Sequence, residues 1–180
     1  MKKSTCLAVV LLLTMASIMM LPLRYVKADY GSNILYVGGS GPGNYTGIQA
    51  AIDNASDGDT IFVFSGIYYE NITIKKSIRV VGENLTSTVI DSFGKGDPVV
   101  LVISTSDVEV TNFTIQNSSG EEWDEDVLKI CNSSFVTISN NIIKNGPTNI
   151  YLENVHDSRI IKNHVLDSFN AILVKKSSYN

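Results

Sequence analysis

The sequence predicts an all-β fold, a solenoid of short parallel strands (a parallel β-helix) closed at its N-terminal end by one α-helix. Three observations predict it. A degenerate repeat of about 22 residues recurs in Val127–Asn140, Ile150–Asn163 and Ala171–Asn180, and a fixed period near 20 marks one supersecondary unit stacked many times. Each repeat alternates apolar and polar residues in runs of three to five, split by Asn, Ser, Asp and Gly turns. Asn112, Asn140 and Asn163 each follow an apolar residue by two places, and Asn tolerates the left-handed backbone of a sharp turn.

The elements follow in chain order. Lys2 and Lys3 precede an apolar run from Cys6 to Leu23, and Val26-Lys27-Ala28 supplies small residues for cleavage. Residues 1–28 therefore read as a secretory signal peptide. An uncleaved anchor is the alternative, and Pro22 and Arg24 interrupt the run against it. Either reading puts residues 29–180 outside the cytoplasm as one elongated β-helix domain, with a cap over 34–59 and coils over 60–180. Ile34–Val37 reads as a strand, and Gly38–Gly43 as a loop. Thr46 and Gln49 have the spacing of a capping box, and Ile48, Ala51, Ile52 and Ala55 form one helical stripe over 46–55. Gly58 suits the left-handed residue after a helix end.

From Thr60 the period is two. Strands are expected at Thr60–Phe64, Ile72–Ile74, Ile78–Val81, Thr88–Ile90, Val99–Ile103, Val108–Val110 and Phe113–Ile115. A lone repeat cannot bury its apolar face. Stacking coils at about 4.8 Å aligns Ile and Val in ladders and lets Asn side chains bond up the stack. Asn112 to Asn140 is 28 residues and Asn140 to Asn163 is 23, so five extra residues belong to an outward loop at Ser118–Asp126. The helical stripe is placed to cover the open strand edges at the N-terminal end. Residues 171–180 begin a further layer, so more coils or a partner are expected beyond that end.

Composition limits the partners. The signal holds all four Met and four of the 14 Lys and Arg, but none of the 18 acids. The mature chain keeps 10 bases and carries net −8. Such a surface repels nucleic acid and anionic lipid, and weighs against a strongly acidic substrate such as a polyuronate unless a cation bridges the two. Cys131 is the only mature cysteine and cannot form an intrachain disulfide.

Tyr45–Asp53, Asp57–Val63, Gly66–Glu70 and Ile78–Gly82 resemble the N-terminal cap and first coils of right-handed parallel β-helix proteins of the pectin-lyase-like superfamily. The later repeats resemble its NosD-type branch of carbohydrate-binding and sugar-hydrolysis proteins. The resemblance spans residues 34–180 and implies a right-handed coil. It implies no single activity, because the superfamily holds lyases, hydrolases, esterases, epimerases and proteins without known chemistry.

The catalytic motifs that the resemblance would bring are missing. No adjacent Asp-Asp, Asn-Thr-Asp or Gly-His-Gly occurs, and Arg159-Ile-Ile-Lys162 is a distant echo of an Arg-Ile-Lys segment. Family esterases use two Asp, an Arg and Gln on neighbouring coils, whereas only Arg79 and Arg159 follow the signal, at different points of the repeat. The best candidate site is the acidic loop. Glu121, Glu122, Asp124, Glu125 and Asp126 surround Trp123, the only Trp. Carboxylates at Glu121, Asp124 and Asp126 suit Ca²⁺, and an exposed Trp could stack on a sugar. The competing reading is a solvated loop with Trp123 folded back as a plug. No other cofactor is expected: copper prefers sulfur and imidazole, and one Cys and two His remain.

His156, Asp157 and Arg159 read as exposed turn residues rather than an acid–base set, His164 as exposed, and Cys131 as a buried small apolar residue. Sequons at Asn44, Asn54, Asn71, Asn84, Asn117 and Asn132 are glycosylation candidates, with Asn112 a poor acceptor if it stacks in the ladder. The sequence reading is thus a secreted or cell-surface β-helix that binds carbohydrate or serves structure rather than catalysis. The alternative is a polysaccharide lyase or glycoside hydrolase with part of its site beyond residue 180. Acidic and basic side chains from successive coils converging on one face near the Trp123 loop would favour the enzyme.

Overall fold

A computed structural model describes residues 32–94, 98–118 and 126–178. The predicted signal peptide and residues Glu121, Glu122, Trp123, Asp124 and Glu125 lie outside the described residues. The chain coils through β1 (Ile34–Val37), α1 (Ile48–Asn54), β2 (Thr60–Val63), β3 (Gly66–Tyr68), β4 (Ile72–Ile74), β5 (Arg79–Gly82), β6 (Thr88–Asp91) and β7 (Val100–Ile103). It continues through β8 (Glu109–Thr111), β9 (Thr114–Gln116), β10 (Asp126–Ser134), β11 (Thr137–Ser139), β12 (Ile142–His156), β13 (Arg159–Ile161) and β14 (His164–Lys175).

Every strand pairs in parallel with the strand one coil away, which makes the fold a parallel β-helix. The first face is a six-stranded sheet, β1-β2-β5-β8-β11-β13. The other strands form one sheet that folds at a corner. β12 pairs with β9 through Ile142–Lys144 and with β10 from Thr148 onward, so its two parts lie on different faces. The second face holds β3, β6, β9 and the first parts of β12 and β14. The third holds β4, β7, β10 and the later parts of β12 and β14.

Inward residues stack as the alternation predicts. Ile61, Val80, Val110 and Ile138 occupy one row on successive coils and are fully buried. Ile74, Val102, Ile130 and Leu152 form another. Each such side chain contributes about 1.5–3 kcal/mol by leaving water. On β14 Val174 continues the second row and Ile172 continues the parallel row of Ile72, Val100, Leu128 and Ile150, and they are 51% and 49% exposed because no described coil stacks on them.

The helix covers the opposite end with Ile48, Ala51, Ile52 and Ala55, as the stripe predicts. Its caps differ from the capping box expected at Thr46. Gly47 is the N-cap residue and makes no side-chain bond. The carboxylate of Glu70, one coil on, accepts from Ile48 N–H (2.9 Å) and Gln49 N–H (3.0 Å). Gln49 is thereby freed to accept from Thr73 N–H at 2.7 Å. Lys76 Nζ donates to the carbonyls of Ile52, Asp53 and Ala55 at the C-terminal end. Both ends of the helix dipole are met by a charge of suitable sign from the next coil.

Asn residues do form ladders, one position away from the predicted register. Asn140 Nδ2 donates to Asn112 Oδ1 at 2.5 Å across 28 residues, and both backbones are left-handed. Lys162, not Asn163, holds that left-handed position in the next coil. Asn163 belongs to an inner ladder, where its Oδ1 accepts from Asn141 N–H across 22 residues. The insertion near 118–126 is therefore six residues rather than five. Asn145-Gly146 is a bend within β12, and a Cβ on Gly146 would lie 2.4 Å from Val127 Cγ2. β3 is a strand beyond those that the alternation predicts.

Candidate active site on the third face

The third face brings charged groups from successive coils into one strip. Side chains alternate inward and outward along each strand. Leu128 and Ile130 of β10 point into the core, so Lys129 and Cys131 point outward, and on β12 Tyr151 and Glu153 do the same. Parallel register then sets Lys129 beside Tyr151, and Cys131 beside Glu153, with Lys175 of β14 next to Glu153.

The contacts are specific. Lys129 Nζ lies 4.7 Å from the centre of the Tyr151 ring, and Lys175 Nζ lies 5.1 Å from it. Two cations facing one ring are attracted by its negative face, worth about 0.5–2 kcal/mol each depending on desolvation. Tyr151 Oη donates to Glu153 Oε2 at 3.3 Å. Asp126 Oδ2 lies 3.4 Å from Lys129 Nζ and the Asp126 side chain is almost wholly buried. Asp126 is thus the first residue of β10 rather than a solvated loop carboxylate. A strip of ammonium, phenol and carboxylate results, with Asp126 at its edge.

Cys131 sits in this strip and is 8% exposed. Burial is the main effect raising its thiol pKa; Lys129 opposes the rise, and Glu153 and Asp126 add to it. A thiol held protonated is a poor nucleophile, so Glu153 is the nucleophile or base that this strip offers. The strip can remove a proton at Glu153 and neutralise a developing oxyanion with Lys129 and Lys175.

Other charged and polar groups lie elsewhere. Arg79 and Arg159 are both on the first face, where Arg79 pairs with Glu109 at 2.8 Å. Asp91 and Gln116 meet on neighbouring coils of the second face, with Gln116 Nε2 donating to Asp91 Oδ2 at 2.8 Å. Asn117 Nδ2 donates to the same oxygen and Phe93 N–H to the other, which makes Asp91 a staple between coils. His156 is bonded to Ser178 Oγ (2.7 Å) and Asn154 Oδ1 (3.2 Å), and His164 is exposed at the start of β14. Among the described residues no group of three or more His, Cys, Asp or Glu is arranged to hold a metal. No described helix is long and apolar enough to cross a membrane.

Lys129, Tyr151, Glu153 and Lys175 were missed in the sequence. Aligning the outward positions of Leu128–Cys131, Ile150–Glu153 and Ile172–Lys175 would have found them, since those segments share one register.

No family model matches the chain. Among curated proteins it is 29% identical over 149 residues to a probable pectinesterase/pectinesterase inhibitor 6 of Arabidopsis thaliana, covering 74% of this chain and 26% of that protein. It is 30% identical over 108 residues to a probable pectinesterase/pectinesterase inhibitor 7 of the same plant, covering 51% and 19%. The chain thus spans about a quarter or less of the length of these relatives. Among solved structures, pectin methylesterase from Erwinia chrysanthemi superposes with a TM-score of 0.52 at 17% identity, over 74% of this chain and 49% of that one. Carrot pectin methylesterase gives 0.51 at 18%, over 71% and 49%. A pectin methylesterase in complex with a hexasaccharide gives 0.51 at 16%, over 68% and 48%.

These structures show the fold, a β-helix shared with pectin methylesterases. Both Arabidopsis relatives bear pectinesterase names. The expectation of a non-catalytic carbohydrate-binding or structural element is overturned, because the proteins similar in sequence and in fold are named as esterases.

Proposed function

We propose that the chain carries part of the site of an extracellular carbohydrate esterase that removes ester groups from an acidic polysaccharide of the pectin type. The observation that carries the reading is the convergence of Asp126, Lys129, Tyr151, Glu153 and Lys175 from three successive coils on one face. The pectinesterase similarity supports the substrate class. The net charge of −8 over residues 29–180 fits it too, because esterified uronate units are uncharged and the acidic surface does not repel them.

In this reading Glu153 takes a proton from water. The hydroxide adds to the ester carbonyl, and Lys129 and Lys175 neutralise the tetrahedral oxyanion. The carbon–oxygen bond to the leaving alcohol breaks, and the proton held by Glu153 passes to that alcohol. The products are an alcohol and the uronic acid, which loses its proton to solvent. Asp126 keeps Lys129 in place.

Alcohol release from methyl-esterified polygalacturonate tests the proposal. The wild-type chain releases methanol, Glu153→Gln lowers the rate at least a hundredfold, and Lys129→Ala lowers it roughly tenfold or more. Full activity in Glu153→Gln, or unsaturated or shortened sugars in place of methanol, would overturn it in favour of other chemistry.

A further inference from the structure

The corner between the third and first faces holds an aromatic residue that neither folding nor the strip explains. Asp107, Phe135 and Asp157 occupy the same point of successive coils, with φ of 54°, 53° and 49°. Their amides donate to Ser134, His156 and Ser178 one coil further on. Left-handed backbone is disfavoured for L-residues, and short polar side chains such as Asp relieve it locally. Phe135 has no such relief. It is also 56% exposed, so its ring is held out in water with little packing to offset the strained backbone. A bulky residue in this conformation is a genuine outlier, and such outliers gather at ligand sites.

Phe135 does not stand alone. With Thr137, Asp157, Ser158 and Arg159 it lines an open cleft of about 420 Å³. Asp157 and Arg159 face this cleft without pairing to each other. The ion pairs among the described residues are Arg79 with Glu109 and Lys129 with Asp126. Among the described residues no side-chain hydrogen bond engages the Asp157 carboxylate or the Arg159 guanidinium there.

We infer that this cleft is a second carbohydrate subsite, which grips one pyranose unit between Phe135, Asp157 and Arg159. A pyranose has the matching chemistry. Its C–H face covers an aromatic ring, and vicinal hydroxyls donate to a carboxylate while accepting from a guanidinium. The inference rests on the reading of a polysaccharide substrate and adds an anchoring contact away from the reacting strip.

The test uses the full chain and Phe135→Asn, Arg159→Gln and Glu153→Gln variants. Asn suits the left-handed backbone, so Phe135→Asn melts at or above the wild-type temperature. It binds a pectin-derived oligosaccharide at least fivefold more weakly by calorimetry, as does Arg159→Gln. Both variants hydrolyse a small soluble ester at the wild-type rate. Glu153→Gln keeps the oligosaccharide affinity and loses hydrolysis. Unchanged affinity in both Phe135→Asn and Arg159→Gln overturns the subsite, whatever the esterase assay gives. Loss of affinity in those two variants from a chain that hydrolyses no ester upholds the subsite and overturns the proposed activity.

Discussion

Lys129 of one coil stands over the ring of Tyr151 in the next, with Nζ 4.7 Å from the ring centre. The pair exists because a 22-residue repeat places two outward positions side by side across a parallel ladder. Tyr151→Leu removes the ring's attraction for both lysines and the bond to Glu153. It should lower unfolding free energy by about 1–2 kcal/mol. Tyr151→Phe keeps the ring and removes only the hydroxyl, so its stability loss should be about 1 kcal/mol or less. Urea midpoints of the three proteins check this order; equal losses would contradict it.

Glu70 caps a helix that lies some twenty residues before it in the chain. Glu70→Ala leaves two helix amides without their partner and removes a charge from the positive end of the dipole. It should destabilise by about 1–2 kcal/mol, and Glu70→Gln by less. Thr46→Ala, at the position the sequence nominated for the cap, should change stability by under about 0.5 kcal/mol. Chemical denaturation distinguishes the two.

The Cys131 thiol and the Tyr68 hydroxyl are both held above their ordinary values, chiefly by burial. Folding then favours the protonated form of each. Their contribution is complete below the unfolded-state values of 9.0 and 10.0 and is lost as pH rises through the higher folded ones. Melting temperature should fall from about pH 9 upward, and Cys131→Ala should reduce the first part of that fall. Alkylation of native Cys131 at pH 8 should be slower than that of a free thiol. Rapid labelling without unfolding would show an accessible thiolate.

Gly82 approaches the coil above it so closely that a Cβ would lie 2.2 Å from the Asn112 carbonyl oxygen. Because the obstacle is backbone, a side chain there must push two coils apart. Gly82→Ala should cost about 2–3 kcal/mol. Thermal melting is sufficient to measure it, and a loss below about 1 kcal/mol would mean the coils adjust freely.

Among the sequons, Asn44, Asn54, Asn71 and Asn117 use the amide nitrogen as a hydrogen-bond donor within the fold. Asn84 and Asn132 use only their side-chain oxygens as acceptors. A glycan replaces one of the two amide hydrogens and needs an exposed side chain, so glycans carried by native protein should sit first at Asn84 and Asn132, which are exposed, rather than at Asn112, whose oxygen also only accepts but which is half-buried in the Asn ladder. Peptide mass mapping of secreted material would show this, and occupancy at Asn117 would refute it.

Much of this architecture could be read from the chain itself. Alternating Ile and Val at 61, 80, 110 and 138 need a shared interior, and only stacking gives a repeat of that length one. The apolar stripe of Ile48 and Ile52 identified its own place over the end of the coil. These are local signals, carried by the period of the apolar residues.

Register was decided in three dimensions. The Asn count alone aligned Asn163 with Asn140, whereas backbone pairing sets Lys162 there and turns Asn163 inward. The caps of α1 came from Glu70 and Lys76 because a neighbouring coil brings full charges to the helix ends, and these displaced the local box. The strip has the same origin. Lys129, Glu153 and Lys175 are ordinary residues taken singly, at outward positions far apart in the chain. The sequence by itself determined a stacked coil, its cap and its inward rows, because hydrophobic periodicity is a property of each segment. Which outward side chains share a face depends on the offset between coils, and only the parallel hydrogen-bond ladder sets that offset.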